Sequence, residues 1–154
     1  MTKNTGIDAS SHFPSPIGCI TITCSRDGIN RISLLTPQPA QIFQEHQLPL
    51  LAAAQDQLLQ YLEGRRKVFD LPLDLSALTQ FKRDLLALCA EIPYGETRSY
   101  GQLAARLGKV AASRAVGAAL ASNPILVVLP CHRVVAADGS LRGYAGGLNV
   151  KQTL

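Results

Sequence analysis

The run LPCHRVV, Leu129 to Val135, sets a thiol beside an imidazole in an otherwise apolar stretch. Cys131 and His132 admit three readings: a satisfied core pair, a metal ligand set, or a nucleophile with its base. Imidazole acting on a thiol is the activation that nucleophilic cysteines use, because the thiolate is the attacking species. Adjacent side chains on a helical turn diverge by about 100°. His132 would therefore reach Cys131 only through a bridging water or a bent turn. The metal reading is weak: the chain has no C-x-x-C, and His12, His46 and His132 are scattered. No metal is expected. A cysteine hydrolase fails for want of an oxyanion-hole signature or a distant triad partner.

The elements around this stretch must position it. ILVVL, Ile125 to Leu129, predicts a buried strand, and Pro130 then turns the chain so that Cys131 is presented to a pocket. A helix is expected just upstream, from about Ala111 to Ser122, ending at Asn123-Pro124. Its inner face is Ala112, Ala115, Val116, Ala119 and Leu120; its outer face is Arg114, Gly117, Ala118 and Ala121. A solvated face normally carries Lys and Glu. This one has a single arginine and a glycine that costs ~1 kcal/mol of helix stability. Either it packs tightly against another domain, or it is a smooth surface for a narrow groove, with one cation to project. Further upstream, a helix from about Gln80 to Glu91 lines up Phe81, Leu85, Leu88 and Ile92, and Pro93 and Gly95 end it. Ser99 opens S-Y-G-Q, a capping box with Gln102, and the short helix it starts carries Leu103, Ala104 and Leu107 inward and stops at Gly108. Helix, short turn, helix in a basic segment suggests a helix-turn-helix, and a hairpin is expected to complete this half.

Charge divides the chain in the same way. From Leu75 onward there are nine Lys/Arg against four Asp/Glu, whereas residues 1–74 carry six against seven, so the net +4 comes from the second half. Surface variation and a bound polyanion explain that equally well on charge alone. The first half shows a β-hairpin signal in IGCITITCSRDGINRISLL around Asp27-Gly28. It then shows a helix from about Leu50 to Leu62, with Leu51, Ala54, Leu58, Leu59 and Leu62 on one face, closed by Gly64. VFDLPLDLSALT reads as a connector. Two domains are expected, 1–74 and 75–154. At 154 residues, nearly half apolar, the chain can bury a real core. No stretch approaches the ~20 apolar residues of a membrane span, and MTKNTGIDASSHF has no signal-peptide core. Cytoplasmic residence is expected, with Cys19, Cys24, Cys89 and Cys131 as free thiols.

NPILVVLPCHRVVAADGSLRGYAGGLNVK, taken with IPYGETRSYGQLAARLG and SRAVGAALASNP, closely resembles the O6-alkylguanine-DNA alkyltransferases, the methylated-DNA–protein-cysteine methyltransferases. The resemblance is dense from Phe81 to Lys151 and looser at SPIGCITITCSRDGI. It implies an α+β chain, with a small ribonuclease H-like α/β domain followed by a winged helix-turn-helix domain. It implies double-stranded DNA carrying O6-alkylguanine as partner, bound in the minor groove with the damaged base flipped. A monomer is implied, with no cofactor and no membrane association, in the bacterial cytoplasm or associated with nucleoid or nucleus.

Roles follow from the same resemblance. Cys131 matches the thiolate that takes the alkyl group in one irreversible displacement. His132 matches the base that deprotonates it through a water, and Asn123 the residue that braces the turn. Arg114 matches the arginine that fills the hole left by the flipped nucleotide, on a helix whose Gly117, Ala118 and Ala121 meet DNA. Tyr100 matches the tyrosine that crowds a phosphate, helps turn the base out and assists its protonation. Tyr144, Ala145, Gly146 and Gly147 match the loop that closes over the base, with Val134 in the pocket. Alkylated thymine is a further candidate substrate.

The chain also departs from the family pattern. Val110-Ala111 stands where Pro-Lys is usual, and Leu126 replaces a frequent proline. The family's terminal helix carries a glutamate that orients the equivalent of His132, and that position lies past Leu154. Without it, reaction is expected to be slow at neutral pH and to climb toward the ordinary thiol pKa of ~8.5. The competing class is a relative that binds alkylated DNA without accepting the group. Such proteins lack the acceptor thiol, so Cys131 favours the enzyme.

Overall fold

The computed structural model describes residues 9–35, 49–109, 111–142, 144 and 147–154. The chain divides into two compact units between Leu75 and Ser76.

In the first unit β1 (Ala9–Ser15), β2 (Gly18–Ser25) and β3 (Gly28–Leu35) form an antiparallel sheet in chain order. Phe13 lies opposite Ile20, and Ser11, Ile22 and Ile32 lie opposite one another, giving one apolar face with a single hydroxyl in it. Thr21 and Thr23 face the other way and bond along the sheet, to His12 at 2.9 Å and to Asn30 at 2.6 Å. The polar β1, ASSHFPS, gives no alternation from which a strand could be read.

The turn between β2 and β3 is Arg26-Asp27, one residue earlier than expected. Gly28 opens β3 at φ 152°, and a Cβ there would lie 2.6 Å from the Pro72 carbonyl oxygen. The supposed connector explains this close approach. Ile29 N–H donates to Pro72 O at 2.9 Å and Asp74 N–H to Ile29 O at 2.8 Å, so the segment runs beside β3 as an extra edge. α1 (Pro49–Leu62) packs on the sheet through Leu51, Ala54, Leu58 and Tyr61. Leu59 and Leu62, expected on that face, are half-buried. Tyr61 holds the stripe instead, its ring 5.2 Å from Phe69.

In the second unit α2 (Gln80–Ala90), α3 (Tyr100–Arg106) and α4 (Ser113–Ala121) pack on one another. α2 buries Leu85, Leu86 and Cys89, with Ile92 just beyond it. Phe81 and Leu88 are half-buried, so the stripe is rotated from the expected one and Cys89 is core. The Ser99 capping box is present: Ser99 Oγ accepts from Gln102 N at 3.1 Å, and Gln102 Oε1 accepts from Ser99 N at 2.8 Å. α4 starts at Ser113, two residues later than expected, and Ala115 is exposed where an inner position was expected. In place of a strand hairpin, β4 (Arg98–Ser99) pairs in parallel with β5 (Val134–Val135), and a tight turn follows in which Ala136 N–H donates to Ser140 O at 3.0 Å. α5 (Leu148–Thr153) closes the described chain.

Candidate active site

Ile125–Leu129 is not a strand. The segment is a series of turns, and its apolar residues are buried by compact folding. Val127 sits at φ 70°, with Val128 N–H donating to Leu126 O at 2.8 Å. That is the strained form of γ-turn, costing on the order of 1–3 kcal/mol for a β-branched residue. A second tight bond, Cys131 N–H to Leu129 O at 2.8 Å, spans Pro130. A short apolar run cannot be told from buried irregular chain by periodicity.

Asn123 holds this shape. Its Oδ1 accepts from Ile125 N at 2.9 Å, and its Nδ2 donates to Leu129 O at 3.0 Å and to Cys131 Sγ at 3.1 Å. One buried amide thus clamps both ends of the turn and aims a donor at the thiol. Cys131–Arg133 form a single 3-10 turn. Arg133 ties it to the end of α2 by donating to Ile92 O at 2.6 Å, with its guanidinium 5.7 Å from the Tyr94 ring centre. Sequence reasoning gave Arg133 no such part.

Cys131 and His132 are each only 5 % exposed. Burial pushes the Cys131 thiol above its ordinary value, opposed by the Asn123 hydrogen bond and then by the Lys151 charge. Burial also lowers His132, helped by Arg133 and Lys151, to about 3. Its imidazole is therefore neutral at physiological pH. The ordinary alkaline rise of a thiol lies higher here than the ~8.5 expected from sequence.

Tyr100, at the start of α3, is half-buried; its hydroxyl is raised by burial and by the Cys131 charge and lowered by Arg142. The Tyr100 ring lies against α4, 3.8 Å from where a Gly117 Cβ would be. Arg114, Ala118 and Ala121 are exposed on α4, a bare surface with one cation. Val134 is fully buried in β5, Tyr144 is half-buried, and Gly147 is exposed at φ 95° before α5. Ala145, Gly146 and Val110 lie outside the described residues. The structure adds Lys151, which donates to the Tyr100 hydroxyl at 3.3 Å. A lysine near the end of a polar-looking helix gives no signal in sequence. A cleft of about 490 Å³ between α2 and α3, lined by Leu88, Glu91, Arg98 and Arg106 among others, contains none of these residues.

Residues 80–154 match the family model of the 6-O-methylguanine DNA methyltransferase DNA binding domain, and residues 10–75 match that family's ribonuclease-like domain. The chain belongs to the 6-O-methylguanine DNA methyltransferase family. A methylated-DNA–protein-cysteine methyltransferase of Mycolicibacterium paratuberculosis is 42% identical over 142 residues, covering 91% of this chain and 86% of the relative. One from Methanosarcina acetivorans is 38% identical, covering 92% of each. Among solved structures, Mycobacterium tuberculosis OGT in complex with DNA superposes with a TM-score of 0.81 at 38% identity, covering 93% of this chain and 88% of that one. The α+β architecture of a ribonuclease-like unit followed by a DNA-binding unit is thus that of the methyltransferase family.

Proposed function

We propose that this chain repairs DNA by taking the alkyl group of O6-alkylguanine onto Cys131, once and irreversibly. The observation that carries the reading is the Asn123 clamp, whose amide N–H points at the Cys131 sulfur at 3.1 Å in a buried turn. Such a donor stabilises a developing thiolate where water does not. Neutral His132 takes the thiol proton through a water. Sulfur attacks the alkyl carbon, the carbon–oxygen bond breaks with its electrons passing to guanine, and a thioether remains on Cys131. No cofactor is needed, because the thiol itself is consumed.

The same reading gives the α4 surface its work. Arg114 enters the stack as the damaged nucleotide turns out, and Gly117, Ala118 and Ala121 let the helix approach the minor groove closely. Tyr100 crowds the flanking phosphate, and Val134 with Tyr144 and Gly147 encloses the base. The protein acts as a monomer in the cytoplasm. Intact mass after incubation with an O6-methylguanine oligonucleotide tests this. One added methyl, mapped to Cys131, is expected. Tight binding with no gain in mass would overturn the transfer reading in favour of a binding protein.

A further inference from the structure

Among the described residues of the second unit, the exposed lysines and arginines are Arg106, Lys109, Arg114 and Arg142. Arg106 pairs with Glu91 at 3.1 Å, and the Lys109 ammonium lies 5.0 Å from the Phe81 ring centre. Arg114 stands on the bare face of α4. That leaves Arg142, whose guanidinium has neither an ion pair nor a hydrogen bond among the described residues. The carboxylate on the preceding turn, Asp138, is turned onto Ser140, accepting from its backbone N–H at 2.9 Å and its hydroxyl at 2.7 Å.

The Arg142 side chain is exposed, but the main chain beneath it is fixed. Its carbonyl accepts from Lys151 Nζ at 3.0 Å, and the same nitrogen donates to the Tyr100 hydroxyl at 3.3 Å. One nitrogen thus joins the two, placing residue 142 beside the tyrosine at the start of α3. Burial and then Cys131 raise the Tyr100 hydroxyl, and the Arg142 charge opposes them, as a guanidinium on the tyrosine's side of the loop would. A guanidinium fork donates two parallel bonds to a phosphate, and phosphate contacts set the register of a protein on duplex DNA. We propose that Arg142 is a DNA-binding residue of the transfer: its guanidinium takes a backbone phosphate beside the flipped nucleotide, on the side of Tyr100, and so holds the duplex over the Cys131 turn. The inference rests on the alkyl-transfer reading, in which Tyr100 crowds that stretch of backbone. The two arginines then have separate tasks. Arg114 occupies the stack, whereas Arg142 neutralises one phosphate outside it. A phosphate suits Arg142 better than a base edge, because no aromatic ring among the described residues orients its fork in advance.

Binding of an unmodified duplex by the whole chain, followed by fluorescence anisotropy between about 50 and 200 mM salt, reads this contact directly. Arg142→Gln should make the slope of log Kd against log salt shallower by about one, and should weaken binding to unrelated sequences alike. Arg142→Lys should keep the parent slope, since an ammonium also neutralises a phosphate. Arg106→Gln removes the same charge from a residue already paired with Glu91, and should keep the parent slope too. Single-turnover transfer is the second readout. At subsaturating DNA, Arg142→Gln should slow reaction with duplex O6-methylguanine roughly 10-fold, and reaction with free O6-benzylguanine far less. A parent slope in Arg142→Gln would overturn the proposal. So would an equal loss of slope in Arg142→Gln and Arg106→Gln, which would report net charge alone. A loss in Arg142→Lys as large as in Arg142→Gln would also overturn it, in favour of a base edge that needs the fork. A parent chain that binds duplex but takes no alkyl group from it would sink the repair reading, while the slopes still report on Arg142.

Discussion

Cys131 and His132 are poised in the neutral pair, thiol and imidazole, rather than as thiolate and imidazolium. Burial raises the one and brings the other to about 3, so neither changes state between pH 5 and pH 8. Reaction with free O6-benzylguanine should therefore be flat across that range and rise only above the ordinary thiol range. A rate series at constant ionic strength checks this, and a step centred near 6.5 would show that His132 titrates as a solvated imidazole. Arg114, exposed on α4, belongs to the other half of the task. Arg114→Ala should slow transfer from duplex far more than from the free base, because extruding a stacked base costs a few kcal/mol. Equal slowing on both substrates would place Arg114 in the pocket or the fold.

At the scale of elements, the first sheet offers two tests of opposite sign. Gly28 cannot accept a Cβ without moving the Pro72 carbonyl, and its φ of 152° is one that L side chains rarely adopt. Gly28→Ala should cost about 2 kcal/mol or more and detach the 72–74 edge from β3. A urea midpoint equal to the parent's would show that the edge contributes nothing. Ser11 has the reverse problem. Its hydroxyl is buried on the apolar face opposite Ile22 and has no hydrogen-bond partner among the described residues. Ser11→Ala should stabilise the chain by about 1 kcal/mol, read as a higher urea midpoint with an unchanged slope. A loss of stability would mean the hydroxyl is satisfied in solution.

For the molecule as a whole, the buried titrating groups of the second unit set a pH window. His132 has a folded value of about 3 against an ordinary 6.5, so the unfolded chain binds more protons between those limits. Stability is then lost as pH falls from 6.5 toward 3. Cys89, pushed to about 12 from 9.0 chiefly by burial, and Cys131, raised by burial, give the alkaline arm. Their contribution is complete below about 9 and is lost as pH rises beyond it, when the unfolded thiols ionise first. Thermal melts from pH 4 to 11 should show a plateau between about 6.5 and 9 with a decline on each side. Cys89→Ala should weaken the alkaline decline without touching the acid one. A melting temperature independent of pH from 6.5 down to 4 would contradict the buried neutral histidine.

The sequence by itself determined the ends and faces of the regular elements wherever one local rule decides them. The Ser99–Gln102 capping box, the alternation of β2 and the bare Arg114 face of α4 are all written in neighbouring residues. Cys131 and His132 stand out as a thiol beside an imidazole inside an apolar run, and Asn123 takes its part only from the resemblance to the methyltransferase family. Tertiary structure decided the rest. Ile125–Leu129 reads as a strand, yet becomes tight turns because Asn123 supplies hydrogen-bond partners that a sheet would otherwise provide. The 72–74 connector is an edge only because Gly28 leaves room for it. Lys151 carries no local signal at all. Its burial, its bond to a tyrosine fifty-one residues away and its charge beside the thiol exist only once α3, α5 and the 3-10 turn have met. Local chemistry is fixed by adjacent residues, whereas electrostatic coupling depends on which distant groups the fold desolvates together.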